Sequence, residues 1–174
     1  MKKDRKNIIL QSLASLLEER NLSKITTAAL AEKSQITEAA LYRHFPSKRS
    51  IYAELFSFCD DTVFAKCNEL KKEKISSKDK IKSAFIFFMI FIEKNKGFAR
   101  LLSREALSSN EQNVSDNVNQ FYERFELVLR QILKEDEKNL IAQPGISAQL
   151  IITVLEGNIG LSLIHISEPT RQHH

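Results

Sequence analysis

No glycine precedes Gly97 in this chain of 174 residues, and the whole sequence holds only four Gly and three Pro. Tight turns draw on these two residues, Gly because it tolerates positive φ and Pro because its φ is already fixed. An all-β fold of this length would need many such turns. The sequence therefore reads as all-α, with helices joined by short polar connections. Hydrophobic residues at 43% and charged residues at 28% are enough to fill a core and clothe it.

The most apolar stretch, residues 84–92, is far shorter than the ~20 residues needed to cross a bilayer. Residues 1–6 run straight into an amphipathic helix rather than a signal peptide, so a cytoplasmic location is expected. Cys59 and Cys67 are the only cysteines. They sit in one helical stretch and read as small buried apolar residues in a reducing compartment, not as a disulfide or metal pair.

Charge is unevenly spread. Residues 1–50 hold ten Lys/Arg and five Asp/Glu, a balance of +5, while the remainder holds 16 and 17, a balance of −1. A basic head on a neutral body points to an anionic partner, since each Lys or Arg set at a phosphate releases condensed counterions.

The helical pattern of that head is specific. Ile9, Leu13, Leu16 and Leu17 share one face of a helix over residues 3–20. After a loop, Thr26 is placed to cap a short helix over 27–33, and Ser34-Gln35-Ile36 makes a tight turn. Thr37 caps a third helix reaching His44, with Glu38 in its positive first turn. Pro46 stops that helix, and Ser47 caps a long fourth one reaching about Glu73. Two short helices about a three-residue turn have the geometry of a helix-turn-helix. Ala40 and Leu41 are expected to face inward with Leu30, Ala31, Ile36 and Phe45. Thr37, Ala39, Tyr42, Arg43 and His44 then face a groove or its phosphates.

Beyond the head the periodicity continues. Residues 71–82 read as a charged connection, and residues 83–95 carry an apolar stripe of Phe85, Phe87, Phe88, Phe91 and Ile92. Gly97 is expected to break the chain before a helix over 98–107, followed by a polar loop over 108–113. A long helix over 114–135 shows Val118, Phe121, Phe125, Leu129, Ile132 and Leu133 at helical spacing. Gln143-Pro144-Gly145 reads as a turn, and Ser147 as the start of a last helix. Phenylalanine stripes of this kind are more often core than ligand box.

After Gly160 the periodicity is expected to lapse. Leu161-Ser162-Leu163-Ile164-His165-Ile166-Ser167 alternates loosely, then meets Glu168-Pro169-Thr170-Arg171. That string resembles the direct translation of a transposase adapter used in sequencing libraries. Residues 161–174 are therefore expected to be foreign, and His165, His173 and His174 are not read as metal ligands. The expected organisation is a DNA-binding head at 1–50, a helical regulatory and dimerisation body at 51–160 with a truncated C-terminus, and the tail at 161–174. A chain so truncated is expected to dimerise poorly and bind DNA weakly.

Ile25-Thr26-Thr27-Ala28-Ala29-Leu30-Ala31 and Glu38-Ala39-Ala40-Leu41-Tyr42-Arg43-His44-Phe45-Pro46-Ser47-Lys48 together resemble helices two to four of TetR-family regulators. Within that family the likeness is greatest to the nucleoid occlusion factors. It extends through Ile9-Leu10-Gln11-Ser12-Leu13-Ala14, through Asn95, Gly97 and Arg100-Leu101-Leu102, and through Asn119-Gln120-Phe121-Tyr122-Glu123-Arg124-Phe125-Glu126 with Leu129-Arg130-Gln131-Ile132-Leu133. The resemblance implies a homodimer that binds chromosomal palindromes and, on DNA, engages the C-terminal tail of the tubulin-like division GTPase and antagonises its polymers. It implies DNA contacts at Thr26, Thr27, Thr37, Ala39, Tyr42, Arg43, His44 and Lys48. It also implies a partner groove between helices four and five at Phe58, Lys66, Phe87, Ile90, Lys94 and Asn95, with arginine usual where Lys66 and Lys94 stand. No cofactor, metal or membrane is implied.

The alternative is a ligand-responsive repressor with a small molecule inside the phenylalanine-rich body, which would need a real cavity with a few polar groups. An enzyme is disfavoured. His44 is the only histidine before the tail, no carboxylate pair stands out, and no Gly-rich phosphate loop exists.

Overall fold

The computed structural model describes residues 2–19, 25–103 and 112–167. Its helices run α1 Lys2–Glu19, α2 Thr27–Lys33, α3 Glu38–His44, α4 Lys48–Lys72, α5 Ser77–Lys94, α6 Lys96–Leu102, α7 Gln112–Lys134 and α8 Pro144–Ser167. A single 3₁₀ turn, Glu137–Asn139, lies between the last two. Among the described residues there is no strand, as the scarcity of turn formers requires.

Local chemistry sets the head. Thr26 and Thr37 each turn a hydroxyl oxygen back to accept the amide of Ala29 (3.1 Å) and Ala40 (3.2 Å), which satisfies one orphan donor per helix. Ser47 and Ser50 cap the start of α4 reciprocally. One face of α1 (Ile9, Leu13, Leu16, Leu17) is buried in the same core as Ile25, Leu30, Leu41 and Phe45.

α4 carries the fold from head to body. Its apolar face (Leu55, Phe56, Cys59, Val63, Phe64, Cys67, Leu70) is buried along most of its length. Phe121 of α7 stands at the centre of the body, with ring centroids 5.6 Å from Phe64, 5.8 Å from Phe98 and 5.9 Å from Phe88. The first two pairs are edge-to-face and the third is stacked, and such pairs add about 0.5–1.5 kcal/mol each beyond the area they bury. The phenylalanine stripes are thus core, as their spacing suggests.

Three expectations need correction. The connection at 71–82 is mostly helix: Ser76 caps α5 by accepting from the Asp79 amide (3.1 Å), and Lys80 is buried rather than solvated. Lys80 Nζ donates to Glu135 at 2.7 Å and to the Lys71 carbonyl at 3.2 Å, tying together the ends of α4, α5 and α7. Lys71 adds a bond to Gln131 at 2.6 Å. A buried lysine is tolerable only with such partners, and they lie far away in sequence.

The expected break falls at Asn95, between α5 and α6, and not at Gly97. Gly97 lies in the first turn of α6, where an added Cβ would sit 2.7 Å from the Ala14 carbonyl oxygen and 3.1 Å from Leu17 Cβ. The glycine lets α1 and α6 cross closely. The helix expected over 98–107 reaches Leu102, and residues 104–111 lie outside the described residues.

Helical periodicity does not lapse at Gly160 either. Pro144 opens α8 at the first helical position, where its missing N–H costs nothing. Ala148, Ile152, Leu155, Ile159 and Leu163 then form one buried face that runs past residue 160. The helix α8 continues to Ser167, with Leu163 on its buried side and Leu161 on its exposed side. Residues 168–174, with His173 and His174, lie outside the described residues.

Candidate nucleic-acid interface and partner groove

The turn between α2 and α3 is closed by two backbone bonds, Ile36 N–H to the Ala31 carbonyl and Gln35 N–H to the Glu32 carbonyl, both 3.0 Å. This is a Schellman closure, which needs a left-handed residue at Gln35. Gln35 has φ of 54°, where a Cβ is unfavourable, and among the described residues it is the only non-glycine with positive φ.

That turn presents α3 with Leu41 buried, Ala40 half-buried, and Glu38, Ala39, Tyr42 and Arg43 exposed. Thr26 and Thr37 flank this face and are also exposed, while Thr27, His44 and Lys48 are half-buried. Lys48 holds its ammonium 5.4 Å over the Tyr52 ring, and Lys6 lies 4.9 Å over Phe45. All eight residues expected to touch DNA belong to α2, α3 or their caps, or to the first turn of α4. Each cap leaves the hydroxyl proton of Thr26 and Thr37 free to donate to a phosphate. Sequence reasoning assigned Glu38 only a place in the helix dipole. The structure adds a bond of 2.7 Å from Thr27 Oγ1 to Glu38 Oε2 that joins α2 to α3 across the turn.

The expected groove residues divide. Phe58 is 65% exposed on α4, and with Asn95 it lines a half-open cavity of about 300 Å³. Leu55 and Cys59 of α4, Gly97 and Phe98 of α6, and Asn7, Leu10, Gln11, Ala14 and Glu18 of α1 complete that cavity. The wall from α1 was not foreseen, because nothing in the sequence spacing ties α1 to α4 and α6. Lys66, Phe87, Ile90 and Lys94 are not part of this lining. Lys66 is bonded to Glu69 at 2.8 Å, a contact that raises its pKa. Phe87 stacks on Phe91 with centroids 6.0 Å apart, and Ile90 and Lys94 are exposed on α5. The Asn95 side-chain amide donates to the Phe91 carbonyl at 2.7 Å.

A second cavity of about 250 Å³ lies between α4 and α7, lined by Ala53, Phe56, Ser57, Asp60, Asn117, Gln120, Phe121 and Arg124. Arg124 donates to Asp60 at 2.7 Å and covers the Phe64 ring at 4.0 Å. Burial pushes the Asp60 carboxyl above its ordinary value although Arg124 opposes it. Burial likewise raises the thiols of Cys59 to about 12 and Cys67 to about 11, which keeps both protonated at neutral pH. Both cavities touch the ring cluster, the first through Phe98 and the second through Phe56 and Phe121.

Residues 9–55 match the domain described as bacterial regulatory proteins, tetR family, and residues 76–165 match the tetracyclin repressor-like C-terminal domain of SlmA type. The nucleoid occlusion factor SlmA of Marinobacter nauticus is 35% identical over 162 residues, 91% of this chain and 83% of its own length. The factor of the same name from Vibrio cholerae is 36% identical over 161 residues, covering 90% and 82%. In fold, a TetR-family regulator from Agrobacterium tumefaciens superposes with a TM-score of 0.78 at 17% identity, over 95% of this chain and 90% of that one. The regulator FadR from Bacillus subtilis, in complex with stearoyl-CoA, gives 0.76 at 14% identity, over 93% and 89%. The chain belongs to the TetR family of bacterial DNA-binding regulators, on the branch that carries the SlmA-type C-terminal domain.

Proposed function

We propose that this protein is a nucleoid occlusion factor: a cytoplasmic, nucleoid-associated homodimer that binds chromosomal palindromes and antagonises polymers of the tubulin-like division GTPase. The observation that carries this reading is the likeness to SlmA proteins at about 35% identity, which spans head and body together rather than the head alone. In this reading the DNA contacts are Thr26, Thr27, Thr37, Ala39, Tyr42, Arg43, His44 and Lys48. The partner's tail docks along α4 and α5 at Phe58, Lys66, Phe87, Ile90, Lys94 and Asn95.

A dimer is supported by α8, which is apolar on two sides. One side is the buried face described above. The other exposes Ile146, Leu150, Val154 and Leu161, each more than half exposed, and a helix apolar all round is normally covered all round. Two copies would set their α3 helices into successive major grooves about one helical turn apart. DNA that favours the groove-competent arrangement must be favoured by the groove's occupant in return.

The test is sedimentation of division-GTPase polymers with this protein, with and without a palindromic duplex. Loss of pelleted polymer that depends on the specific duplex is expected. Polymer mass unchanged, with DNA binding independently verified, would overturn the reading in favour of a ligand-responsive repressor. The half-open cavity between α1, α4 and α6 would then be the place to look for the ligand.

A further inference from the structure

Resting on the DNA-binding reading of the head, we infer that Glu38 is the base-selecting residue of α3, that it selects cytosine, and that Thr27 is the positioning residue that aims it. Glu38 shares the exposed face of α3 with Ala39, Tyr42 and Arg43. Among the described residues it forms no ion pair, and its one bond is the 2.7 Å contact from the Thr27 hydroxyl to Oε2. An uncompensated carboxylate on a face that meets phosphates is repelled by them, because the whole interface lies within a Debye length of about 8–10 Å. The helix N-terminus and the Thr27 hydroxyl offset part of that repulsion, and a donor on a base edge offsets more.

The base follows from the major-groove pattern. Guanine offers two acceptors there and thymine one, so both repel a carboxylate. Adenine offers its N6 amino group, but with the N7 lone pair beside it. Cytosine offers the N4 amino group with no neighbouring acceptor. Glu38 Oε1, which no described residue engages, is the oxygen left to take that proton.

Thr27 behaves unlike its neighbours. Thr26 and Thr37 use their hydroxyl oxygens as caps and keep their protons for the DNA backbone. Thr27 gives its proton to Glu38, so any contact it makes with DNA is shared with that bond. Its anchorage on α2 fixes a side chain that would otherwise sample several rotamers from the first turn of α3. The pairing spans eleven residues, and Ala39 next to it keeps the helix surface low enough for close approach to base edges.

The experiment is selection from a randomised duplex library by the wild-type chain, Glu38→Gln, Glu38→Ala, Thr27→Val and Thr27→Ser, followed by affinities for cognate, single-substitution and unrelated duplexes. The wild type is expected to select cytosine at one symmetric position per half-site, preferring it roughly 5- to 100-fold, the range that a mismatched pair costs. Glu38→Gln is expected to move that preference to adenine, which glutamine pairs through N6 and N7. It can still accept the Thr27 proton, so the brace survives. Glu38→Ala is expected to erase the preference. Thr27→Val is expected to narrow it several-fold, a larger change than its loss of affinity for unrelated duplex, and Thr27→Ser to restore it. Identical base preferences for the wild type, Glu38→Gln and Glu38→Ala would overturn the assignment and leave the pair a structural brace. An equal loss on all duplexes with Thr27→Val would show a phosphate contact instead. A wild type that selects no palindrome would sink the DNA-binding reading itself.

Discussion

Gln35 holds a left-handed conformation that glycine would adopt without strain. Gln35→Gly is expected to stabilise the head by about 0.5–1 kcal/mol, the relief of the Cβ clash outweighing the added freedom of the unfolded chain. Urea titration followed by circular dichroism measures it, and a midpoint that falls would contradict the argument. The Asp60–Arg124 pair makes an asymmetric prediction. The Asp60 side chain is only 12% exposed and that of Arg124 55%, so losing the cation strands a buried carboxylate, whereas losing the anion leaves an exposed cation. Arg124→Ala is expected to cost about 1–3 kcal/mol and Asp60→Asn under about 1 kcal/mol. Because the folded pKa of Asp60 is raised, the folded state holds its proton more tightly than the unfolded state. Stability at this site is therefore greatest below the ordinary carboxylate pKa and declines as pH rises through the raised value. The decline is expected to be steeper in Arg124→Ala, and denaturation midpoints across the acid range would show it.

At the scale of elements, the helices of the head could be read from sequence because their boundaries are local. Thr26, Thr37 and Ser47 each bond to an amide three residues on, so cap and helix start lie within one short window. The start of α5 has an equally local cap, Ser76 to the Asp79 amide, but escaped that reading because the Lys-rich run around it looks solvated until Glu135 and the Lys71 carbonyl enclose Lys80. The same holds for the Thr27–Glu38 bond and for the α1 wall of the cavity, which depend on separate segments meeting in space. Gly97 was conspicuous in sequence and yet misread, since its constraint comes from Ala14 rather than from its own φ. Gly97→Ala is expected to force α1 from α6 and cost about 1–3 kcal/mol. The thermal midpoint would fall accordingly, and a variant as stable as the parent would mean the crossing relaxes freely.

For the whole molecule, the exposed side of α8 predicts association. Val154→Glu is expected to leave the monomer folded, since Val154 faces away from the core, while it abolishes any dimer seen by sedimentation velocity and weakens palindrome binding at least tenfold. The same runs on the parent chain address the sequence-based expectation of weak dimerisation. A dimer unmoved by Val154→Glu would place the interface elsewhere.

The helix α4 follows α3 after three residues, carries Phe58 and Lys66 along its middle, and ends where Lys71 and Lys80 fasten it to the body. With 25 residues at ~1.5 Å each it is a lever roughly 37 Å long, so a tilt of about 5° at the fastened end swings the other by about 3 Å. That distance is close to the rise of one base pair. An operator whose half-sites are one base pair closer or farther apart would be met by tilting this lever, and the groove along its length would open or narrow with it. A partner docked along α4 as proposed would then sense half-site spacing through its affinity.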